Sequence, residues 1–208
     1  MNQNLLDMKL RRRPHRIFAD ILREFAADPG SRILDVGCAF GVIGALRGRP
    51  DNVIGIERDP QHREAASRHC ARLYTFDLNG LSRDAFKEKD FNLIFCADVL
   101  EHLEDPDRVL RELTGFLAPG GRVVVSVPNV AQLPFRLKLL AGRFEYTEAG
   151  VMARSHLRFY TYATAQTLIR DAGLTVERFY AGGTVVSYIN IWPRLLAAHL
   201  IFVCRKTR

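Results

Sequence analysis

The stretch Ile33-Leu34-Asp35-Val36-Gly37-Cys38-Ala39-Phe40-Gly41 constrains this chain more than any other, because an apolar run ends at an acid and opens into a loop with two glycines four residues apart. A short apolar run with β-branched residues reads as a buried strand, and glycine lets the backbone turn sharply and approach a ligand closely. The loop then enters a helix. A second apolar run, Val53-Ile54-Gly55-Ile56, closes on Glu57, twenty residues beyond Gly37. Strand, loop, helix, strand and acid follow in the order in which α/β folds set a carboxylate against two ribose hydroxyls. A nucleotide-like ligand is the expectation.

Details of the loop narrow the ligand. A dinucleotide fingerprint wants its second glycine where the backbone must reach a pyrophosphate, and here that position is Ala39. Asp35 stands two residues before Gly37, where a fixed negative charge would oppose a pyrophosphate. It would attract an ammonium by roughly a few kcal/mol if partly buried. That pattern favours a cationic adenosyl ligand.

These residues resemble the first motif of the class I S-adenosylmethionine-dependent methyltransferases, with Ala39 in place of the usual middle glycine. Tyr74-Thr75-Phe76-Asp77-Leu78 is similar to the family's third strand and the acid that meets the adenine amino group. The segment from Phe91 through Asp98 to Leu103 resembles its fourth strand and the loop beneath the methyl group, and Leu117-Ala118-Pro119-Gly120-Gly121-Arg122 the turn before its fifth. The resemblance runs from about residue 30 onward. It implies S-adenosylmethionine as cofactor, held by Asp35, Gly37, Cys38, Ala39 and Gly41, by Glu57 and Arg58, by Asp77 and Leu78, and by Ala97 and Asp98. Within the family, Asp98-Val99-Leu100-Glu101-His102-Leu103, Pro128-Asn129-Val130, Arg136 to Tyr146 and Ser155 to Thr161 resemble the bacterial branch of ubiquinone-biosynthesis and surface-glycan O-methyltransferases. O-methylation of a small-molecule, glycan, quinone or lipid-linked acceptor is what that implies.

At 208 residues the chain suits one well-cored α/β domain, and it has no internal repeat. Residues 1–29 are read as a basic segment and a helix packing on the core, 30–208 as the methyltransferase domain, and 128–160 as an acceptor-side lid insertion. Strands are expected near 32–36, 53–56, 72–76, 92–96, 122–127, 174–180 and 195–204. Helices are expected near 14–27, 41–48, 60–69, 106–117 and 162–172. Such alternation predicts a doubly wound, mostly parallel sheet, and the resemblance adds an antiparallel last strand beside the fifth.

Cys38, Cys70, Cys96 and Cys204 are scattered without a Cys-x-x-Cys pair, which argues against zinc or disulfide frameworks. With no signal peptide evident, a cytoplasmic location is the simplest expectation. The net charge of +7 gathers in Lys9, Arg11, Arg12, Arg13 and Arg16, and again in Arg136, Lys138, Arg143, Arg154 and Arg158. Solvated surface explains such groups as well as attraction to an anionic acceptor or a membrane surface does. Pro193, Arg194 and His199 interrupt the apolar stretch 184–204, so a spanning helix is not expected. Leu133 to Leu140 mixes leucines with Arg136 and Lys138 and reads most simply as a packed lid, though it could touch a lipid-like acceptor.

Methyl transfer from a sulfonium is an in-line displacement, so the protein must align two molecules and remove the acceptor's proton. His156, in the lid, is the first candidate base, with an equal claim to be a histidine that merely orders the lid. His102 follows, and Asp98 faces the same loop. Asp98, Glu101 and His102 could gather round a divalent ion, but no metal is the reading adopted at this point. Nucleic acid is not the expected partner, since the Asn-Pro-Pro-Tyr type of loop is replaced by Ala97-Asp98-Val99-Leu100 and no Pro-Cys nucleophile occurs. An RNA methyltransferase and a non-catalytic adenosylmethionine-binding partner remain the alternatives.

Overall fold

The computed structural model describes residues 13–183 and 192–207. The chain order begins with α1 (Arg13–Phe25), β1 (Ile33–Val36), α2 (Val42–Arg47), β2 (Val53–Ile56), α3 (Arg63–Ser67), β3 (Arg72–Tyr74), β4 (Phe91–Ala97) and α4 (Pro106–Thr114). It continues with β5 (Leu117–Pro128), α5 (Leu133–Leu140), α6 (Tyr162–Asp171), β6 (Leu174–Gly182), α7 (Pro193–Leu196) and β7 (His199–Lys206). The strands form one sheet in the order β3-β2-β1-β4-β5-β7-β6, and β7 alone runs against its neighbours β5 and β6. The expected doubly wound sheet with an antiparallel last strand is therefore present.

The central strands read as unbroken apolar runs because both faces of the sheet are covered, and the pleat sends alternate residues to opposite sides. Phe91, Ile94, Cys96, Val123, Val125, Leu200 and Phe202 join one core with Leu110 and Leu113 of α4 and Leu168 of α6. Leu93, Phe95, Val124, Ile201 and Val203 join the other, against Phe18, Ile21 and Leu22 of α1 and Ile43 of α2. Asp105 caps α4 by accepting from the Arg108 amide at 3.0 Å, with Pro106 in the first turn. All four cysteines are buried and unpaired.

Several boundaries differ from expectation. Pro193 starts the short helix α7, so the strand expected from 195 begins at His199. The helix expected at 60–69 divides into a tight turn, Pro60–His62, and α3. α4 stops at Thr114 because Leu117 already pairs with Phe91, which makes β5 longer than its apolar run. α5 lies where a packed lid was expected, yet it buries no residue: Leu139 is 50% exposed and Leu140 84%. No described helix is long and apolar enough to cross a membrane. Lys9, Arg11 and Arg12 of the basic run, and residues 184–191 of the apolar stretch, lie outside the described residues.

Candidate functional site

Connections from β1 run outward through β2 to β3, whereas β4 returns to the other side of β1, so the ends of β1 and β4 part at a switch point. A cleft of about 440 Å³ opens there. Gly37, Ala39, Glu57, Arg58 and Asp77 line it, with Leu78, Asp98 and His102. A larger hollow of about 610 Å³ lies at the opposite strand ends, between the start of β5 and the end of β7, lined by the turn Leu117 to Arg122 and by none of the residues expected to meet cofactor or acceptor.

The loop after β1 depends on left-handed backbone. Gly37 has φ 65°, and a Cβ there would stand 2.6 Å from Val99 Cγ2, so only glycine keeps that wall of the cleft open. Ala39 carries its methyl group at φ 44°, a conformation that costs an L-residue about 1–2 kcal/mol. Its amide donates to Glu57 Oε2 at 2.8 Å, while Glu57 Oε1 accepts from the Asp59 amide at 2.7 Å. A carboxylate offers about four acceptor positions, so Glu57 retains roughly two for a ligand.

Asp77 lies further along the cleft. It accepts from the Asn79 amide at 2.9 Å and pairs with Arg58 at 3.0 Å, and that amide, aided by Arg58, holds its carboxyl below the usual range. Arg58, expected to touch the cofactor, thus has Asp77 as its partner. Asp35, Cys38, Gly41 and Ala97 do not line the cleft. Asp35 is sealed beneath the loop at 3% exposure, with one oxygen unpartnered. Burial pushes its carboxyl up to about 8 despite a hydrogen bond from the Ile43 amide, and the charge of Glu57 adds to the rise. At neutral pH it is mostly uncharged, unlike the fixed negative charge that its sequence position suggests.

On the other side of the cleft Asp98 sits at φ 54°, accepting from Ser126 Oγ at 2.8 Å and meeting His199 Nδ1 at 3.4 Å. Burial alone would raise its carboxyl, but 40% of the side chain opens on solvent and the contact with His199, with Ser126 in support, carries it below the usual range. His199 was legible in the sequence only as an interruption of an apolar run. The antiparallel register that pairs it with Pro128 brings it here.

Glu101 and His102 form a tight turn with Leu100. The Glu101 carbonyl accepts from the amides of Leu157 and Arg158 at 2.8 and 3.1 Å, which fixes residues 155–158 against that turn. His102 Nδ1 donates to the Ser155 carbonyl at 2.9 Å and His156 Nδ1 to the Val151 carbonyl at 3.1 Å. The two rings meet edge to face with centroids 4.8 Å apart. His102 lines the cleft, whereas His156, the first candidate base, is not among its lining residues and meets the cleft only through the His102 ring. Burial, and to a lesser degree His102, lowers the affinity of His156 for a proton. Glu101 is 1% exposed, neither carboxylate oxygen has a partner, and burial raises its carboxyl well above the usual range, with the charge of Asp98 adding to it. The metal grouping contemplated from sequence, Asp98 with Glu101 and His102, is replaced in space by Glu101, His102 and His156.

Comparison with known proteins adds four findings. The profile of a methyltransferase-domain family matches residues 10–178. A ubiquinone biosynthesis O-methyltransferase of Aeromonas salmonicida is 26% identical over 153 residues, covering 71% of this chain but 64% of that protein, so the match falls short of two thirds of the relative's length. An S-adenosylmethionine-dependent methyltransferase from Mesorhizobium loti superposes with a TM-score of 0.67 at 19% identity, over 97% of this chain and all of that one. The magnesium protoporphyrin IX methyltransferase of Synechocystis, solved with bound SAH, gives 0.65 at 18% identity, over 92% and 83% of the two chains. At such identities the solved structures speak for the fold.

Proposed function

The chain belongs to the methyltransferase-domain family whose profile it matches, and from that premise we propose that it transfers a methyl group from S-adenosylmethionine to an oxygen of a small-molecule, glycan, quinone or lipid-linked acceptor. The observation that carries this reading is the row of acids Glu57, Asp77 and Asp98 along one cleft at the ends of β2, β3 and β4, facing the glycine loop. The free acceptor positions of Glu57 suit a ribose diol, and Asp77 suits an adenine amino group. A pyrophosphate would meet Glu57 and Asp98, with the Arg58 guanidinium already paired to Asp77. Gly37 provides the close approach that a Cβ would fill. Cys38, Gly41 and Asp35 shape the loop from beneath, and Ala97 ends the strand that delivers Asp98.

When bound, S-adenosylmethionine supplies a methyl group on an electrophilic sulfonium. The protein's share is to hold the donor, orient the acceptor and exclude water. Asp98, braced by Ser126 and His199, lines the cleft together with His102, whose ring meets that of His156. The name of the distant relatives supports oxygen as the accepting atom. Exposed Leu137, Leu139 and Leu140 of α5, beside Arg136 and Lys138, favour a lipid-linked acceptor met by a cytoplasmic protein at a membrane surface.

Calorimetric titration with S-adenosylmethionine and, separately, with NAD tests the cofactor. Micromolar binding of the first alone is expected, weakened about tenfold or more by Glu57→Ala, which corresponds to about 1.4 kcal/mol. Binding of NAD, or equal affinity in the folded Glu57→Ala variant, refutes the assignment. A labelled methyl donor offered with candidate acceptors then tests transfer, and tight binding without transfer to any acceptor would leave a non-catalytic partner as the reading.

A further inference from the structure

We propose that Asp98, held by Ser126 and His199, is the residue through which this cleft favours a cationic adenosyl cofactor over the neutral product left once the methyl group has gone. This deepens the methyl-transfer reading, on which it rests, because S-adenosylmethionine carries a sulfonium charge that S-adenosylhomocysteine lacks.

Strand order sets Asp98 at one end of the row of acids. In the order β3-β2-β1-β4, Asp77 follows β3, Glu57 follows β2, the glycine loop follows β1 and Asp98 follows β4. Neighbouring strands lie about 4.8 Å apart, so Asp98 stands about two strand spacings beyond Glu57. With adenine at Asp77 and the ribose at Glu57, the sulfur-bearing end of the ligand extends across the glycine loop toward Asp98. Adenine and ribose are uncharged, so a preference for the cation belongs to that end.

The other acids are engaged or sealed. Glu57 accepts from the Ala39 and Asp59 amides. Asp77 pairs with Arg58, the one arginine or lysine among the described residues lining the cleft. Asp35 does not line it, and at 3% exposure burial raises its carboxyl to about 8. Asp98 lines the cleft with 40% of its side chain exposed.

The chain accepts backbone strain to hold that carboxylate in place. Asp98 has φ 54°, a region that aspartate and asparagine enter more readily than other residues bearing a Cβ. Its amide donates to the Ser126 carbonyl at 3.0 Å, and the fully buried Ser126 returns a hydrogen bond from Oγ to Oδ1 at 2.8 Å. His199 Nδ1 meets the same oxygen at 3.4 Å, so neither contact engages Oδ2. Burial opposes the charge, but the His199 contact, with Ser126, carries the carboxyl below its usual range and leaves it ionised at neutral pH. The sulfonium charge fades during transfer, so an anion that binds it strengthens the ground state at least as much as the transition state. Asp98 therefore serves donor capture and product release, not the transfer step.

Calorimetric titration at neutral pH with S-adenosylmethionine, S-adenosylhomocysteine and sinefungin, which carries a protonated amine in place of the sulfonium, compares two cationic ligands with a neutral one. Asp98→Asn keeps the shape, tolerates the left-handed backbone and still accepts from Ser126, so it removes the charge. It should weaken both cationic ligands about tenfold, which corresponds to about 1.4 kcal/mol, and move S-adenosylhomocysteine by less than about twofold. Asp35→Asn should leave the ratio of the S-adenosylmethionine and S-adenosylhomocysteine affinities as in the wild type. An unchanged ratio in folded Asp98→Asn, or an equal shift in Asp35→Asn, overturns the proposal. Thermal melting establishes folding, and if Asp98→Asn does not fold, Ser126→Ala, which removes only a hydroxyl, decides: a shift of about threefold in the same direction is expected, and none overturns the proposal. Failure of all three ligands to bind the wild-type chain removes the methyl-transfer reading itself, whereas binding of all three with a ratio that Asp98→Asn does not move removes this inference alone.

Discussion

Replacing Asp35 by Asn should change how stability depends on pH. The carboxyl lies at 3% exposure, with one oxygen held by the Ile43 amide and the other unpartnered, and burial raises it from 3.8 to about 8. Because the folded-state value is the higher one, the native chain keeps a proton that the unfolded chain has already released. The stabilisation is complete below pH 3.8 and is lost as pH rises toward about 8, at about 1.36 kcal/mol per unit. Between about pH 6 and pH 8 the loss comes to about 2.3 kcal/mol, it reaches about 2.7 kcal/mol by about pH 9, and above that the curve is flat. This is a large part of the 5–15 kcal/mol that holds a typical domain together. Asparagine has nearly the same shape and no charge, so its own penalty for an unpartnered amide is independent of pH. Urea unfolding of both proteins at about pH 6 and about pH 9 gives the two stabilities, and subtracting them cancels every other titrating group. Asp35→Asn should gain about 2–3 kcal/mol relative to wild type over that interval. A difference that stays constant within about 0.5 kcal/mol would refute the reasoning, because it would mean that Asp35 is already ionised at pH 6.

Two further substitutions test local geometry. Ala39→Gly removes a methyl group held at φ 44° and should stabilise the chain by about 1 kcal/mol in urea unfolding, so a loss of stability would show that the methyl group packs productively. Asn129 is fully buried, donates to the carbonyls of Arg194 and Ala197 at 3.0 and 2.9 Å, and accepts from the Ala131 amide at 3.0 Å. Asn129→Ala strands all three groups and should cost about 2–4 kcal/mol, a value that a thermal-melting shift of only a degree or so would contradict.

What could be read along the chain is what depends on neighbours in sequence. The strands β1, β2 and β4 announce themselves as apolar runs, Gly37 and Gly41 as a turn, and Glu57 and Asp77 as acids at strand ends, because a βαβ unit places each of them relative to the strand before it. Boundaries that depend on pairing escaped: β5 extends back to Leu117 only because Phe91 is there to meet it. The apolar content of α5 suggested packing, but nothing in those residues says whether a partner surface will cover them, and none among the described residues does. The site divides in the same way. Asp98 and His102 were legible, while His199 beside Asp98 follows from the antiparallel register of β7. The meeting of His156 with Glu101 follows from two backbone hydrogen bonds across fifty-odd residues. The sequence by itself determined the sheet, the loop and the acids that face a ligand, since these obey local periodicity and backbone sterics. Only the tertiary structure decided that Asp35 is sealed and mostly neutral, and that a buried Glu101 lies unpartnered between two oriented imidazoles, because burial, charge state and long-range contact are properties of the whole packed chain.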